Sequence, residues 1–181
     1  MAFAALLSLA AAIPTRSQGN LPIEYQVKAA FLFNFAKFVE WPLGTFQSEK
    51  APIILCVFGH DPFGSALDEI IRGRTINNRA VLARRINELP ELKSCQLVFV
   101  SSVEGKHLSE VISSLKGASV LMVGEGEGFA ERGGGIQLFI EDSKLRFAVN
   151  VDSMQRARLT VSSKLLALAK IVHDQDHTKG N

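Results

Sequence analysis

The chain has 181 residues, of which 47% are hydrophobic and 21% are charged. This length and composition fit one globular domain with a substantial core, and they exclude a disordered chain. Twenty Lys and Arg against 18 Asp and Glu leave a net charge of only +2. No basic cluster is larger than Arg84-Arg85, so we exclude nucleic acid as a partner.

The first residues have the character of a secretory leader. Residues 1–13 form a short apolar run rich in Ala and Leu, and a polar stretch containing Pro14 follows up to Asn20. Such a run is too short to span a bilayer, and it fits a signal peptide in most respects. The feature that it lacks is a Lys or Arg directly after Met1, before the apolar run. We therefore expect residues 1–20 to be a leader and the protein to be periplasmic. The alternative is the apolar N-terminus of a cytosolic protein.

The chain contains two cysteines, Cys56 and Cys95. In an exported chain an even count allows one disulfide, whereas in the cytosol the same pair would be two buried thiols. No Cys-x-x-Cys spacing occurs, so neither zinc binding nor thioredoxin-type redox chemistry is indicated.

The segment 24–40 is predicted to be a helix because apolar side chains recur in it at helical spacing. These are Val27, Phe31, Phe35 and Phe38, with Leu32, Phe33 and Val39 broadening the stripe. Such breadth indicates burial on more than one side, and Pro42 ends the helix. The helix is either a central core helix or one that presents part of its surface to a second copy or another partner.

From residue 52 onward, strand-like and helical segments alternate. Strands are predicted over 52–58, 77–86, 96–101 and 119–123, and helices over 61–71 and 102–115. Asp61 is the expected N-cap of the first of these helices, with Pro62 at its first position. Two strands over 136–141 and 144–150, separated only by Asp142-Ser143, predict a β-hairpin. Residues 161–172 are predicted to form a final amphipathic helix.

This alternation of strands and helices indicates crossover connections and a mainly parallel sheet, to which the hairpin adds antiparallel strands. We predict a single α/β domain over residues 21–175 with three layers, helix–sheet–helix, in a Rossmann-like arrangement. A polar tail over 176–181 follows it.

Two glycine-containing loops follow predicted strands, at positions where phosphate-binding loops occur. The loop 59–64 lacks the Gly-Lys-Ser/Thr ending of a Walker motif. The loop 124–128 lacks dinucleotide-binding spacing, and its Glu125 and Glu127 would repel a pyrophosphate. Both are interpreted as turns.

Catalysis by a nucleophile requires Ser or Cys beside a base and an orienting group, and the histidines lie in no such context. The run HDQDH over 173–177 contains groups that bind metals. We interpret it as a solvated tail, because metal sites need ligands held by a fold. We expect no catalytic residue, no cofactor and no metal, and a hydrolytic enzyme ranks last among the hypotheses.

The last third of the chain contains the candidate partner-binding residues. Arg146, Asn150, Arg156, Arg158 and Lys164 surround a strand end and two short helices. One interpretation is that they are helix caps and solvated faces. The other is a polar, basic patch that recognises an acidic surface or a small ligand, with Arg156 and Lys164 in the recognition helices.

Several motifs resemble the YfiR family of periplasmic proteins. They are YQVKAAFLFNFAKFVEWP over 25–42, CVFGHDPFG over 56–64, GFAERGGGIQ over 128–137, and RFAVN at 146–150 followed by VSSKLLALAK at 161–170. They cover nearly everything after the leader, in order and at matching spacing. The opening helix motif is the most specific of them.

This resemblance implies a small α/β periplasmic domain that forms a homodimer and binds the periplasmic domain of an inner-membrane diguanylate cyclase. Binding holds the cyclase inactive and lowers cyclic di-GMP, and an outer-membrane lipoprotein can sequester the repressor. The resemblance also implies a disulfide between Cys56 and Cys95, whereas a second disulfide of some members has no counterpart here. Ala148 replaces a common Glu and Arg158 a common Gly, so the partner can differ. A periplasmic small-molecule sensing domain is the alternative, because turns at strand ends can hold a ligand.

Overall fold

The computed structural model of the protein describes residues 23–101 and 107–175. The helices are α1 (Ile23–Phe38), α2 (Ala66–Ile71), a 3₁₀ helix (Leu89–Ser94), α3 (Leu108–Ser114), α4 (Val151–Arg156) and α5 (Ser163–Leu166). The strands are β1 (Val39–Glu40), β2 (Ile53–Phe58), β3 (Thr75–Ile76), β4 (Arg79–Ile86), β5 (Leu97–Val100), β6 (Leu121–Gly124), β7 (Ile136–Glu141), β8 (Lys144–Asn150), β9 (Thr160–Val161) and β10 (Lys170–Val172). The predicted leader over 1–20, the tail over 176–181 and the start of the helix predicted at 102 lie outside the described residues.

The centre of the described part is an eight-stranded sheet with the order β10-β8-β7-β6-β5-β2-β4-β3. The portion β4-β2-β5-β6-β7 is parallel throughout, and its strand order is that of flavodoxin-like doubly wound folds. β7 and β8 form the antiparallel hairpin, and β10 adds to β8 in parallel. The predicted α/β class, with a mainly parallel sheet and a late hairpin, is confirmed.

Both faces of the sheet are covered, and strand residues alternate between two buried clusters. Leu55 and Val57 of β2 pack in the cluster that contains α1 and α2, whereas Cys56 and Phe58 pack in the cluster that contains α3 and the 3₁₀ helix. Successive strand side chains point to opposite faces, so each strand contributes to both clusters. The predicted three-layer architecture is therefore present.

Helix α1 lies in the core, in agreement with the interpretation of this segment as a central core helix. Ala29 and Leu32 are fully buried. The ring of Phe35 packs against Phe147 of β8 with its centroid 5.1 Å away. The buried stripe differs from the predicted one at its start, because Val27 is 40% exposed.

The helix predicted to start at Asp61 starts instead at Ala66, so that boundary was wrong. Asp61 forms a local turn in which its Oδ1 accepts the N–H of Phe63 at 2.7 Å. Phe63 is fully buried, and its ring lies edge-on to Phe99 at 4.7 Å. Gly64 then has a φ of 52°, outside the helical region. Burial of the Phe63 ring thus outweighs the local helix-start pattern.

The helix predicted over 161–172 is wrong in its second half. Helix α5 ends at Leu166, and β10 pairs in parallel with the last three residues of β8. This pairing satisfies backbone groups on the outer edge of β8, which a periodicity argument cannot foresee. The β-branched pair Ile171-Val172 suits a strand. Leu168, a member of the predicted apolar stripe, is 74% exposed.

A two-stranded ribbon outside the main sheet has no counterpart among the predicted elements. In it β1 pairs antiparallel with β9, with Val39 opposite Val161. The N–H of Ser162 also donates to the carbonyl of Phe38 at 3.0 Å. The end of α1 is therefore fixed to the connection between α4 and α5.

Cys56 and Cys95 form a disulfide, with their Cα atoms 6.0 Å apart. The 3₁₀ helix ends beside β2 and places Cys95 next to Cys56 on the α3 side of the sheet. The pairing implied by the family resemblance is confirmed. Within residues 23–101 and 107–175, no helix has the length and hydropathy needed to cross a membrane.

Candidate binding groove

A groove between α3 and α4 contains the predicted binding residue Arg156. It encloses about 400 Å³, within the size range of ligand pockets. Its apolar lining includes Ile112, Leu115, Val120 and Met122, and its charged lining is Lys116 and Arg156. We call it the α3–α4 groove.

A second groove adjoins the first and shares Ala118 and Val120 with it. It encloses about 310 Å³ and is lined by Lys93, Cys95 and Arg158 among others. We call it the Cys95 groove, and we call the two together the basic cleft. The described lining of the cleft contains four Lys and Arg and no carboxylate. This combination of apolar floor and cationic rim fits an acidic, partly apolar binding partner.

Asn150 positions helix α4 from inside the protein. Its Oδ1 accepts the N–H of Ser153 at 3.0 Å, which caps the first turn of α4. Its Nδ2 donates to the carbonyl of Ala130 at 2.6 Å and to Oδ1 of Asp174 at 2.8 Å. The residue has no exposed surface, so in this structure it orients Arg156 and contributes no surface of its own to a partner.

Arg156 already holds a carboxylate. Its Nη1 binds Oδ2 of Asp174, and its Nη2 lies 3.1 Å from Oδ1 of the same side chain. Burial alone would raise the pKa of Asp174, but hydrogen bonds from Arg156 and Asn150 outweigh burial and lower that pKa. Two-point contact of this kind is the geometry with which arginine recognises carboxylates.

The segment after β10 is fixed by a second carboxylate. Asp152 of α4 accepts the backbone N–H of Asp174 at 3.0 Å, and its Oδ1 lies 3.0 Å from Nδ1 of His173. The hydrogen bond from the Asp174 N–H, followed by that from His173, lowers the pKa of Asp152. Within the described residues no group of three His, Cys, Asp or Glu is arranged to hold a metal ion.

The glycine run 133–135 allows the loop after β6 to pass between α3 and α4. Gly133 has a φ of +101°, and a Cβ there would lie 3.2 Å from Cδ1 of Ile112. A Cβ on Gly135 would lie 2.6 Å from the carbonyl oxygen of Met122. Ser153 Oγ donates to the carbonyl of Gly133 at 3.1 Å, which fixes the loop to α4. The loop therefore forms one wall of the α3–α4 groove.

The remaining predicted residues lie in different places. Arg158 is in the Cys95 groove, where its Nη2 donates to the carbonyl of Gly117 at 3.0 Å. Its φ of 57° is the left-handed conformation that favours glycine. Arg146 is on the hairpin beside Glu141, with 4.0 Å between Nε and Oε2. Lys164 is exposed on α5. Neither Arg146 nor Lys164 lines the basic cleft.

Sequence reasoning missed a buried charged cluster at the carboxyl end of β6. The ammonium group of Lys28 lies 2.5 Å from Oε1 of Glu24 and 2.5 Å from Oε2 of Glu125, and Tyr25 donates its hydroxyl to Glu125 at 3.1 Å. Burial lowers the pKa of Lys28, but hydrogen bonds to the two glutamates outweigh it and raise that pKa above 10.5. A lysine inside an apolar helical run is the one sequence feature that points to such a pair.

Comparison with known proteins identifies the family. A family model described as YfiR/HmsC-like matches residues 25–170. An ABC domain in complex with L-Trp from Streptococcus pneumonia has a similar structure, with a TM-score of 0.52, 12% identity, and coverage of 82% of this chain and 61% of that one. A conserved domain protein from Vibrio cholerae O1 biovar El Tor has a TM-score of 0.53, 9% identity, and coverage of 81% and 59%.

This chain spans about three fifths of each of those two structures. At these identities the likeness shows the fold alone. The family model, in contrast, covers most of the sequence. The chain therefore belongs to the YfiR/HmsC-like family, whose members are periplasmic regulators of diguanylate cyclases.

Proposed function

We propose that this protein is a periplasmic binding protein that represses a membrane-bound diguanylate cyclase by binding its periplasmic domain through the basic cleft. Membership of the YfiR/HmsC-like family supports this function. The disulfide between Cys56 and Cys95 is consistent with an oxidising compartment. The observation that carries the proposal is the composition of the cleft, with four Lys and Arg over an apolar floor and no described carboxylate in its lining.

The cleft suits a protein segment with acidic and apolar side chains. Arg156 binds the Asp174 carboxylate within this chain, so a partner carboxylate would replace Asp174 or bind the remaining N–H groups of the guanidinium. Ile112, Leu115 and Met122 offer apolar surface beside it, and burial of such surface supplies most of the affinity at interfaces. Charge complementarity would then set the register and the rate of encounter.

Repression requires that the bound cyclase favour its inactive state. A ligand shifts a conformational equilibrium only by its differential affinity for the two states. We therefore propose that the cyclase presents its acidic segment to the cleft in the inactive conformation. An outer-membrane lipoprotein that covers the cleft would act as the antagonist.

The proposal includes a homodimer, supported by exposed apolar side chains on the α1 side of the sheet. Ile23 and Val27 lie one turn apart on α1 and remain exposed, as does Ile140 near the hairpin tip. Ile140 lies two residues after the core residue Leu138, so both side chains are on the same face. Exposed apolar side chains on one side of the sheet support an interface there. Sedimentation equilibrium tests this, and a monomer at all concentrations would contradict it.

The function is tested by enzyme activity in nanodiscs, in which both sides of the membrane are accessible. Each membrane-bound diguanylate cyclase of the source organism is assayed for cyclic di-GMP formation with increasing amounts of the purified protein. At least one cyclase should be inhibited with saturation near equimolar protein. A Lys116→Glu variant should inhibit it less, whereas Arg72→Glu, a charge reversal on the exposed end of α2, should not differ from wild type. Full activity of every cyclase would contradict the proposal.

A further inference from the structure

A separate pocket lies under the connection between β1 and β2. It encloses about 480 Å³, a volume typical of small-molecule sites. Trp41 and Phe46 contribute aromatic surface, Ile53 and Ile76 contribute aliphatic surface, and Glu40 and Glu49 contribute carboxylates. We call it the Trp41 pocket. Its described lining shares no residue with the α3–α4 groove, and it shares Pro42, Leu43 and Gly44 with the Cys95 groove.

The aromatic part of this pocket is held in place before any ligand binds. The indole N–H of Trp41 donates to the carbonyl of Gln96 at 3.2 Å. The rings of Trp41 and Phe46 lie edge-to-face with centroids 6.3 Å apart. Arg79 Nη1 donates to the carbonyls of Ser48 and Ala51, each at 2.8 Å, and so fixes the loop that carries Phe46. A site that is ordered in advance loses less entropy when it binds.

The charges in the pocket favour a cation. The described lining contains two carboxylates, those of Glu40 and Glu49, and one guanidinium, that of Arg79. Arg79 is already bound to two loop carbonyls, and its Cζ stacks 3.9 Å from the centroid of Phe46. The carboxylates are exposed to the solvent at the rim, where an ammonium group of a ligand can reach them. An indole face is also the best aromatic partner for a cation.

We propose that the Trp41 pocket binds a small organic cation that consists of an ammonium group on a flat, apolar body. The body packs between Trp41 and the aliphatic floor, and the ammonium group pairs with Glu40 and Glu49. The opposite charge preference of the basic cleft makes the two sites chemically distinct. The proposal does not rest on the repression proposed above, but the pocket borders the basic cleft at Pro42, Leu43 and Gly44.

A charge series with one common body tests the proposal. Three compounds share one phenyl group and differ in charge. Phenethylammonium is a cation, 2-phenylethanol is neutral, and phenylacetate is an anion. Trp41 is the only tryptophan of the chain, so its fluorescence reports on ligand binding at this pocket. Phenethylammonium should give a saturable change, and phenylacetate should bind at least about tenfold more weakly because of the two carboxylates.

Matched variants assign the effect to the carboxylates. The double variant Glu40→Gln/Glu49→Gln should bind phenethylammonium about tenfold more weakly than wild type does. Its affinity for 2-phenylethanol should be unchanged. Glu69→Gln on α2, outside the pocket, should alter neither, and thermal unfolding should show all variants folded. Absence of a saturable change with phenethylammonium overturns the proposal. Equal binding of phenylacetate, or unchanged binding by the double variant, also overturns it.

Discussion

Lys28 on α1 and Glu125 after β6 form a buried ion pair in which Nζ lies 2.5 Å from Oε2 and the side chains are only 6% and 7% exposed. The two residues are 97 positions apart in the chain. A second carboxylate, Glu24, is also in contact with Lys28. The pair fixes the first half of α1 to the carboxyl end of the parallel sheet. Its loss should therefore affect the whole fold.

Removal of one partner of this pair should strongly destabilise the protein. In Lys28→Met, Glu125 is left buried without its cation, and the free energy of unfolding should fall by about 3–5 kcal/mol. The double variant Lys28→Met/Glu125→Gln should recover a large part of that loss. Lys37→Met, on the exposed side of the same helix, is the control and should change stability by less than about 0.5 kcal/mol. Urea unfolding measures all four proteins, and equal losses for Lys28→Met and Lys37→Met would refute this account.

The same cluster should make the protein sensitive to strong alkali. The pKa of Tyr25 is raised above 10.0 by burial and by Glu125, and hydrogen bonds raise the pKa of Lys28 above 10.5. The folded state therefore holds these protons more tightly than the unfolded state does. The resulting stability is present below pH 10 and is lost as the pH rises through the folded-state pKa values. Urea unfolding as a function of pH should show a steeper alkaline loss in wild type than in Lys28→Met/Glu125→Gln, and parallel curves would contradict the prediction.

Asn150 should be essential for stability although it was predicted to be a binding residue. Asn150→Ala removes the cap of α4 and leaves the carbonyl of Ala130 without the Asn150 amide. The free energy of unfolding should fall by about 2 kcal/mol or more. Asn150→Asp keeps the capping acceptor but loses the Nδ2 donor, and it adds a carboxylate beside Asp174. It should therefore not rescue stability.

A matched cap variant separates this effect from ordinary capping. Ser162→Ala removes the cap of α5, where Ser162 Oγ accepts the N–H of Leu165 at 3.3 Å. That substitution should cost about 1 kcal/mol. Denaturant unfolding that gives Asn150→Ala a loss no greater than Ser162→Ala would argue against the buried network.

Asp174 should stabilise β10 in a pH-dependent way. Its pKa is lowered by the hydrogen bonds from Arg156 and Asn150, which outweigh burial. A depressed folded-state pKa gives stability that is present above the unfolded-state value of about 3.9 and is lost as the pH falls through the folded-state value. Amide exchange of Ile171 and Val172, corrected for intrinsic rates, should therefore accelerate in acid. In Asp174→Asn the exchange should be fast already at neutral pH, and slow exchange there would contradict the role of this carboxylate.

The sequence pattern was sufficient for the fold class because local chemistry determines much of it. The turn Asp142-Ser143 adopts positive φ values of 50° and 59°, as a two-residue hairpin turn requires. In contrast, β10 forms because β8 has an open edge, which is a property of the assembled sheet. Local periodicity in residues 161–172 contains no information about that edge.

The candidate site was only partly accessible to sequence reasoning. Arg156 and Arg158 were found because they are close in sequence, and both line the basic cleft. Lys93 and Lys116 reach the same cleft from distant segments that only the fold brings together. Arg146 precedes Asn150 by four strand residues, so it lies about 13 Å from the start of α4. Sequence proximity therefore overstated its connection with the cleft.

The most direct test of the central claim is the equilibrium affinity of the full-length protein for the isolated periplasmic domain of the cyclase that it inhibits. Isothermal titration should show that Lys116→Glu weakens binding about tenfold. Lys93→Glu, at an exposed residue of the Cys95 groove, should do the same, and both variants should retain the wild-type unfolding temperature. Arg72→Glu should bind like wild type. Wild-type affinity of both cleft variants, or an equal loss with Arg72→Glu, would contradict recognition through the basic cleft.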